Sequence, residues 1–229
     1  MPCNCVHVKI EGKVHIVGKD LDIEVKNSIN LSFIMEALGQ MLTGTKGSQG
    51  GNYILLNSFI STGASVSVSS NSITFTSTYT PQYETVLNNL QLFATLYGYF
   101  NLLSEVGVNN VILSANTTYT FTWTITINDS LGLITTLLQE AVQGTFSSFS
   151  LSTSVSLFQS QRLILQNAIV FLLTFYNGSS STENLNPTVT FSVTNTSSQT
   201  SSFTYNMNDP VSIPPYSAFT YPVTIQIGA

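Results

Sequence analysis

The sequence predicts an all-β protein made of two tandem antiparallel sandwiches, and three observations support this fold class. First, residues 118–127, TYTFTWTITI, alternate threonine with aromatic or aliphatic residues. Successive side chains of a strand point to opposite faces, so this pattern indicates a strand with one apolar face and one hydroxyl face. Second, similar alternation runs through most of the chain. Third, the order of predicted elements in the first half recurs in the second half.

Residues 1–26 are predicted to be a charged N-terminal β segment, because apolar residues alternate with polar ones. The apolar set is Val6, Val8, Ile10, Val14, Ile16, Leu21, Ile23 and Val25. Gly12 is expected to form a turn between the first two strands. Four of the six basic residues, Lys9, Lys13, Lys19 and Lys26, lie here with four carboxylates. These charges are typical either of a docking segment or of an ordinary solvated face.

Two short amphipathic helices are predicted at residues 31–44 and 131–144. In both segments apolar residues recur at three- and four-residue spacing and a glycine stands where the helix would end. Each helix precedes a set of alternating strands, and the sets end on TYTFTWTITIN and AFTYPVTIQIG. This repeated order predicts a first sandwich over residues 27–128 and a second over residues 129–229.

Three segments are harder to interpret from their pattern. Residues 86–103 suit a helix by apolar spacing, but Gly98 and the neighbouring aromatic residues favour strands. The segment SEVGV, residues 104–108, is expected to lead through Asn109 and Asn110 into a short strand at residues 111–113. The apolar run at residues 163–176 is too short to span a bilayer, so it predicts a buried strand or helix.

The scarcity of charge excludes one class of partner and suggests an environment. Only 7% of the residues are charged, whereas an average soluble domain has roughly 25%. The net charge of −5 and the lack of clustered Lys and Arg exclude a nucleic-acid partner. After Lys46 the only basic residue is Arg162. A fold with few ion pairs loses little stability when carboxylates protonate, so we hypothesise an acidic exterior; the alternative is a hydroxyl-rich β surface with no relation to pH.

The two cysteines leave three interpretations open. Cys3 and Cys5 share a strand face with His7, and His15 lies on the next predicted strand. The four residues form a candidate metal site, but their spacing matches no standard zinc pattern. Disulfide pairing between subunits and two inert buried thiols are the other interpretations, and the sequence favours the last.

Catalytic patterns are absent from the sequence, and no cofactor is expected. There is no Gly-x-Ser-x-Gly, His-Glu-x-x-His or Walker pattern, and the carboxylates are scattered along the chain. Five Asn-x-Ser/Thr sequons occur, which are candidate glycosylation sites. Asn177 and Asn195 lie in predicted surface turns, and Asn116 and Asn128 are further candidates. The fifth, Asn30, opens a helix and is expected to act in its cap.

The first half resembles a domain that recurs in phage tail-fibre and appendage proteins. The similar segments are the helix NLSFIMEALGQMLTG, the strand pair VSVSSNSITFTSTYT, the turn SEVGV and the strand TYTFTWTITIN. Glu105 and Gly107 match the family's turn, Val108 replaces its usual leucine, and Trp123 matches the tryptophan of its closing strand. The hydroxyl-rich, charge-poor composition is similar to jelly-roll turret and tail proteins of acidophilic archaeal viruses. The resemblance implies jelly-roll-like sandwiches.

The expected function is therefore structural. We expect a subunit of a virus particle, in a turret, vertex or tail appendage, that forms a ring-like homo-oligomer and contacts other virion proteins. It would assemble in the host cytoplasm, face the particle exterior and contribute to attachment to a host glycan or pilus. The alternatives are a cellular surface protein, such as a pilus or surface-layer subunit, and a glycan-binding or glycan-cleaving appendage domain. No secretory signal or membrane span is evident in the sequence.

Overall fold

The computed structural model describes residues 3–48 and 50–229. Over these residues the protein is nearly all-β, with two short helices and almost entirely antiparallel pairing, which confirms the predicted class. The elements are β1 (Cys5–Gly18), β2 (Leu21–Ile29), α1 (Leu31–Thr43), β3 (Tyr53–Leu56), β4 (Ile60–Gly63), β5 (Ser65–Ser69), β6 (Ser72–Tyr79), β7 (Thr85–Leu96), β8 (Tyr99–Leu113), β9 (Tyr119–Asp129), α2 (Leu133–Gln143), β10 (Phe146–Thr153), β11 (Gln159–Ile164), β12 (Ala168–Asn177), β13 (Glu183–Leu185), β14 (Thr188–Asn195), β15 (Thr200–Asn206), β16 (Val211–Ile213) and β17 (Ser217–Gly228).

One large sheet connects the two halves of the chain. Its longest layer runs in the order β5-β6-β9-β1-β17-β12-β11. A branch in the order β2-β8-β7-β3-β4 leaves it at β1. Strands β10, β14 and β15 form a separate sheet, and β13 pairs with β16. The N-terminal strand therefore lies inside the main layer, between the last strands of the two halves.

The branch point lies at Gly12, in the middle of β1. Before it, Cys5–Lys9 pair in parallel with β17; from it, Gly12–Gly18 pair antiparallel with β2. The expected turn at Gly12 is wrong, because β1 continues through this residue and the hairpin to β2 follows Gly18. What requires glycine is a close approach: an added Cβ would lie 2.8 Å from Ile29 Cδ1 and 2.8 Å from Asn27 Cγ.

Asn27 connects this branch point to the aromatic core. Its amide, in the orientation that satisfies both of its ends, accepts hydrogen bonds from Trp123 Nε1 (2.7 Å) and Lys13 N (3.0 Å). The same amide donates to Ser104 Oγ (2.8 Å) and Gly12 O (3.3 Å). Trp123 is completely buried and Ser104 nearly so. A buried indole N–H needs a partner, and Asn27 supplies it.

We expect Gly12→Ala to lower the free energy of unfolding by about 1–3 kcal/mol, as overpacking does elsewhere. Asn27 is held by its hydrogen bonds and cannot move aside without breaking them. The control is Gly63→Ala, also in a strand, because an added Cβ there meets nothing within 4 Å. Urea unfolding of both variants measures the difference. Equal stability of the two would contradict the close packing at Gly12.

Strand pairing in the second half repeats that of the first half. The hairpin β5–β6 pairs through β6 with the closing strand β9, and the hairpin β11–β12 pairs through β12 with the closing strand β17. Likewise β3 pairs with the first strand of β7–β8, and β10 with the first strand of β14–β15. Whether the halves are separate sandwiches with boundaries near residues 26 and 128 stays a prediction, as does the jelly-roll order.

A single hydrophobic core lies between the layers. Phe171 of β12 and Phe191 of β14 are 5.0 Å apart between ring centroids, so the main sheet packs on the small one. Both helices contribute to the core and contact both halves, α1 touching β8 and β10, α2 touching β7 and β14. Both predicted helices are confirmed. Asn30 Oδ1 accepts from Phe33 N (3.2 Å), which confirms the expected cap, and Gly44 ends α1 in a left-handed conformation.

The three ambiguous segments resolve in different ways. Residues 86–103 are strands, as favoured. The turn expected at residues 104–108 and the separate short strand expected at residues 111–113 are wrong, since both segments lie within β8, whose pairing with β7 shifts register between Gly107 and Val111. The run at residues 163–176 is not one buried element. It divides at Gln166 and Asn167 into the end of the exposed strand β11 and the mostly buried strand β12.

Candidate assembly surfaces

The outer face of β1 and β2 carries a stripe of ion pairs. Lys9 Nζ lies 2.7 Å from Glu11 Oε1, Lys13 Nζ 2.8 Å from Glu24 Oε2, and His15 Nε2 2.6 Å from Asp22 Oδ1. All six side chains are substantially exposed. Exposed pairs of this kind contribute little to stability. The charged face predicted for residues 1–26 is therefore present on the surface; its role in docking stays a prediction.

Acid should cost this fold little stability. Hydrogen bonding to Lys9, followed by the charge of its ammonium, holds the pKa of Glu11 below the ordinary value of 4.5. A lowered pKa stabilises the fold above the ordinary value, and this contribution is lost as the pH falls through the lowered pKa. Because Glu11 and its partner Lys9 are both exposed to solvent, we expect unfolding temperatures at pH 3 and pH 7 to differ by only a few degrees. Calorimetry checks this, with Glu11→Gln as the control, and a large loss at pH 3 would contradict it.

Next to this stripe the same face becomes a regular array of hydroxyls. Thr120, Thr122, Thr124 and Thr126 of β9 lie opposite Thr78, Thr76, Thr74 and Ser72 of β6. Serines of β5 extend the rows to the sheet edge. These hydroxyl side chains carry no charge, and those of β9, which lies between β1 and β6, are half-buried. The hydroxyl face predicted from TYTFTWTITI is therefore an extended surface.

Elsewhere hydroxyl groups bond to each other across neighbouring strands. Thr174 Oγ1 and Thr220 Oγ1 are 2.7 Å apart, and Thr194 Oγ1 and Thr200 Oγ1 are 2.9 Å apart. Such pairs stabilise a sheet surface without ionised groups. The charge-poor composition thus has a structural counterpart on the outer strands of both halves.

The cysteines do not follow the interpretation that the sequence favours. Cys3 and Cys5 form a disulfide with each other, so they are neither inert thiols nor a pair between subunits. We call Cys3 and Asn4, the described residues before β1, the N-terminal arm. Asn208 Nδ2 donates to Cys3 O (2.9 Å), which attaches this arm to the loop after β15. Within residues 3–48 and 50–229, no group of three or more His, Cys, Asp and Glu side chains lies close enough to hold a metal.

The carboxylates outside the charged stripe are used singly. Glu140 accepts a hydrogen bond from Thr145, and Asp129 Oδ2 accepts from Ile134 N (2.7 Å), which caps α2. A mostly apolar groove of about 700 Å³ between the N-terminal arm and β17 is lined by one carboxylate, Asp209. General acid–base cleavage of a glycoside needs two carboxylates at one cleft, and this groove supplies one.

The sequons differ sharply in accessibility. Asn116 and Asn128 are exposed, and Asn195 lies half-buried at the turn between β14 and β15. The expectation that Asn177 lies in an accessible turn is wrong, because its side chain is completely buried. Asn177 Nδ2 donates to Ser181 O (2.7 Å), Ile213 O (3.0 Å) and Pro214 O (3.2 Å). The nitrogen that a glycan would modify is thus fully engaged.

Peptide mapping of protein from its native source should find any glycan at Asn116, Asn128 or Asn195, and none at Asn177. Attachment at Asn177 would replace its hydrogen bonds by a bulky substituent inside the fold. The unmodified Asn177 peptide serves as the internal control. A glycopeptide that contains Asn177 would contradict the buried placement.

Exposed aromatic side chains contact one another in two groups. Phe158 and Tyr176 pack on each other at 6.1 Å between centroids at one end of β12. Phe100 stacks on Phe93 at 5.7 Å and meets the edge of Tyr53 at 6.0 Å on the branch sheet. Clustered exposed aromatic residues are typical of contact surfaces. No pattern in the sequence distinguished these residues from core aromatics.

Part of the chain is similar to a protein of an archaeal virus. "Uncharacterized protein 61" of the Sulfolobus islandicus filamentous virus (isolate Iceland/Hveragerdi) is 38% identical over 94 residues, which cover 41% of this chain. The match spans 48% of the relative, about half its length. No family model matches the chain, and no solved structure matches it. A viral relative is compatible with a virion-associated protein.

Among the described residues, neither helix has the length and apolar character needed to cross a bilayer.

Proposed function

We propose that this protein is a structural subunit of a virus particle that assembles by packing its sheet surfaces and edges against copies of itself and other virion proteins. The observation that carries this proposal is the uncharged, hydroxyl-covered outer face of β6 and β9. The similarity to a protein of a filamentous archaeal virus supports the viral setting.

The physical reason is the cost of removing water from a surface. Burying an ionised side chain is far more costly than burying a hydroxyl that finds a new hydrogen-bond partner. A surface of threonine and serine can therefore be covered by a neighbouring subunit and exchange its hydrogen bonds with that subunit. The ion pairs found in the described residues are confined to β1 and β2, and the neighbouring outer face of β5, β6 and β9 carries hydroxyl groups instead of charges.

The finer proposal is an outward-facing turret, vertex or tail appendage made of two sandwich units per chain. In the first half the hairpin β5–β6 pairs with the closing strand β9, and in the second half the hairpin β11–β12 pairs with the closing strand β17. This repeated pairing supports two equivalent units. The charged face of β1 and β2 is the proposed contact with the capsid or a neighbouring ring. A structural rather than catalytic role agrees with carboxylates that are used singly.

Purified particles test the main proposal. Mass spectrometry should find the protein at a stoichiometry of many copies per particle, and cryo-electron microscopy should place its fold in a repeated, surface-exposed position. The particles are first washed with mild salt, which removes proteins that bind adventitiously. A true subunit should remain on the washed particles. Absence from washed particles, with the protein abundant in infected cells, would overturn the proposal.

Host attachment is the second candidate function, and the exposed pair Phe158 and Tyr176 favours it. Aromatic rings of this kind offer apolar faces that can stack on sugar rings. A glycan array probed with the purified protein should give binding that Tyr176→Ala removes and Phe100→Ala, on the other aromatic patch, preserves. Binding that ignores both changes would place any attachment site elsewhere.

A further inference from the structure

Strand β11 ends the main layer and has a partner on one side. It pairs antiparallel with β12, from Gln159 opposite Thr174 to Ile164 opposite Ile169. Within the described part of the chain no strand pairs with its other side. All six residues of β11 are exposed. An unpaired edge presents a row of backbone donors and acceptors to any other strand.

This edge has little of the protection that usually keeps an edge from pairing. Strand β11 contains no lysine, proline or bulge and one charged residue, Arg162, and three consecutive exposed apolar residues lie at its end and just after it. Leu163, Ile164 and Leu165 expose 47%, 38% and 49% of their surface. The opposite edge of the same layer, β5, presents Ser65, Ser67 and Ser69 instead. The apolar edge is therefore specific to the second half.

The backbone shows which residues of β11 could bond to a further strand. Leu165 N donates to Ala168 O (2.8 Å) across the turn to β12. Bonding alternates along an antiparallel strand, so residues 161, 163 and 165 direct their backbone groups towards β12. Ser160, Arg162 and Ile164 consequently direct theirs outward.

We propose that β11 pairs antiparallel with β11 of a second copy of this chain, about a two-fold axis at Leu163. Arg162 of each copy then lies opposite Ile164 of the other, in a hydrogen-bonded pair. The two Leu163 side chains meet at the axis, in a non-hydrogen-bonded pair. This inference deepens the assembly role proposed above and rests on it for its biological meaning.

Charge complementarity selects the second copy and the register. Ile164 lies against α1, since a Cβ added to Gly39 would be 3.5 Å from its side chain. Glu36, about one turn earlier, lines the same depression as Ile164. Directly opposed residues project to the same face, so Arg162 of the second copy projects beside Ile164 and towards Glu36. Neither residue belongs to the three ion pairs found in the described residues.

The neighbouring registers are less favourable. An axis at Arg162 would place two guanidinium groups directly opposite each other, which is repulsive. An axis at Gln161 would place Leu163 opposite Gln159 and leave Leu165 outside the pairing. Of these three registers, only the axis at Leu163 joins apolar residues at the centre and opposite charges at both ends.

Cysteine cross-linking tests the register. Leu163→Cys is made in a chain that also carries Cys3→Ser and Cys5→Ser. Residues in a non-hydrogen-bonded pair have Cα atoms about 4.5 Å apart, which a disulfide can bridge. Mild oxidation should therefore give a covalent dimer from Leu163→Cys and at least about tenfold less from Ile164→Cys or Gln161→Cys, whose equivalent Cα atoms would be more than about 7 Å apart. Efficient cross-linking at Gln161 or Arg162 rather than at Leu163 would overturn the register.

Association in solution tests the pairing itself. Analytical ultracentrifugation of the unaltered chain should show a dimer, and Leu163→Lys should raise its dissociation constant at least about tenfold. Arg162→Glu should weaken the dimer, and adding Glu36→Arg should restore it. Ser67→Lys, on the opposite edge, is the matched control and should leave the dimer unchanged. Circular dichroism verifies that each variant is folded.

The outcomes separate this inference from the proposed function. A monomeric wild-type chain, or a dimer that ignores both Leu163→Lys and the charge reversal, would overturn the β11 pairing while leaving a virion role intact. A dimer with these properties in a protein absent from washed particles would keep the pairing and overturn the proposed function.

Discussion

Trp123→Ala should lower the free energy of unfolding by about 3–5 kcal/mol, the largest single effect we expect in the first half of the chain. Trp123 is completely buried, and its neighbours across the sheet are Val14 on β1 and Phe75 on β6. Alanine would leave a cavity at the centre of the main layer that these neighbours can fill only in part. Urea unfolding followed by far-ultraviolet circular dichroism measures the loss.

Two further variants separate packing from hydrogen bonding at this site. Trp123→Phe keeps most of the apolar volume but leaves the Asn27 amide without the indole donor, so we expect a smaller loss of about 1–3 kcal/mol. Tyr83→Ala is the control, because Tyr83 is 80% exposed and should change stability by less than about 0.5 kcal/mol. If Trp123→Ala cost no more than Tyr83→Ala, the placement of the indole in the core would be wrong.

Asn177→Asp should destabilise the second half by about 3–5 kcal/mol at pH 7, because it buries a charge without a partner. The change is nearly isosteric, but it replaces an amide that donates to three carbonyl oxygens by a carboxylate that would face them. Burial raises the pKa of such a carboxyl, so the loss should shrink as the pH falls towards about 4 and the group binds a proton.

Asn195→Asp provides the matched control for Asn177→Asp. Both residues are the asparagine of an Asn-x-Ser sequon, but Asn195 Nδ2 donates only to Gln199 Oε1, at 3.2 Å, among the hydrogen bonds of the described residues. Its side chain is half-buried, so we expect a loss of at most about 1 kcal/mol. Thermal unfolding of the two variants between pH 4 and pH 8 gives the comparison. Equal losses would show that Asn177 is not the buried tether between β12 and the chain after β16.

Periodic features were predictable because they are local. The alternation in TYTFTWTITI places Trp123 inside and the threonines outside through the geometry of one strand. The same reasoning predicted α1 with its Asn30 cap and Gly44 end, and the repeated order of elements. These predictions require no knowledge of which strand pairs with which.

Features that depend on pairing partners were missed. The sequence predicted a turn at Gly12. Glycine is needed there because Asn27, on the neighbouring strand, occupies the space that a side chain at position 12 would fill. Asn177 reads as a surface turn in Asn-Gly-Ser, yet the chain around Ile213 folds over it. Residues 163–165 read as part of a buried run, yet they lie at an unpaired edge. In each case the deciding neighbour is distant in sequence.

The sequence by itself determined which face of each alternating strand points to solvent and approximately where the two helices lie. It also determined that ionised groups are rare outside residues 1–26. Tertiary structure alone decided that β1 lies between β9 and β17, that Asn27 bonds to the Trp123 indole, and that β11 forms an exposed edge. The physical reason is that side-chain period follows from the chain's own backbone geometry, whereas sheet order is set by contacts between segments up to about two hundred residues apart, which no local pattern encodes.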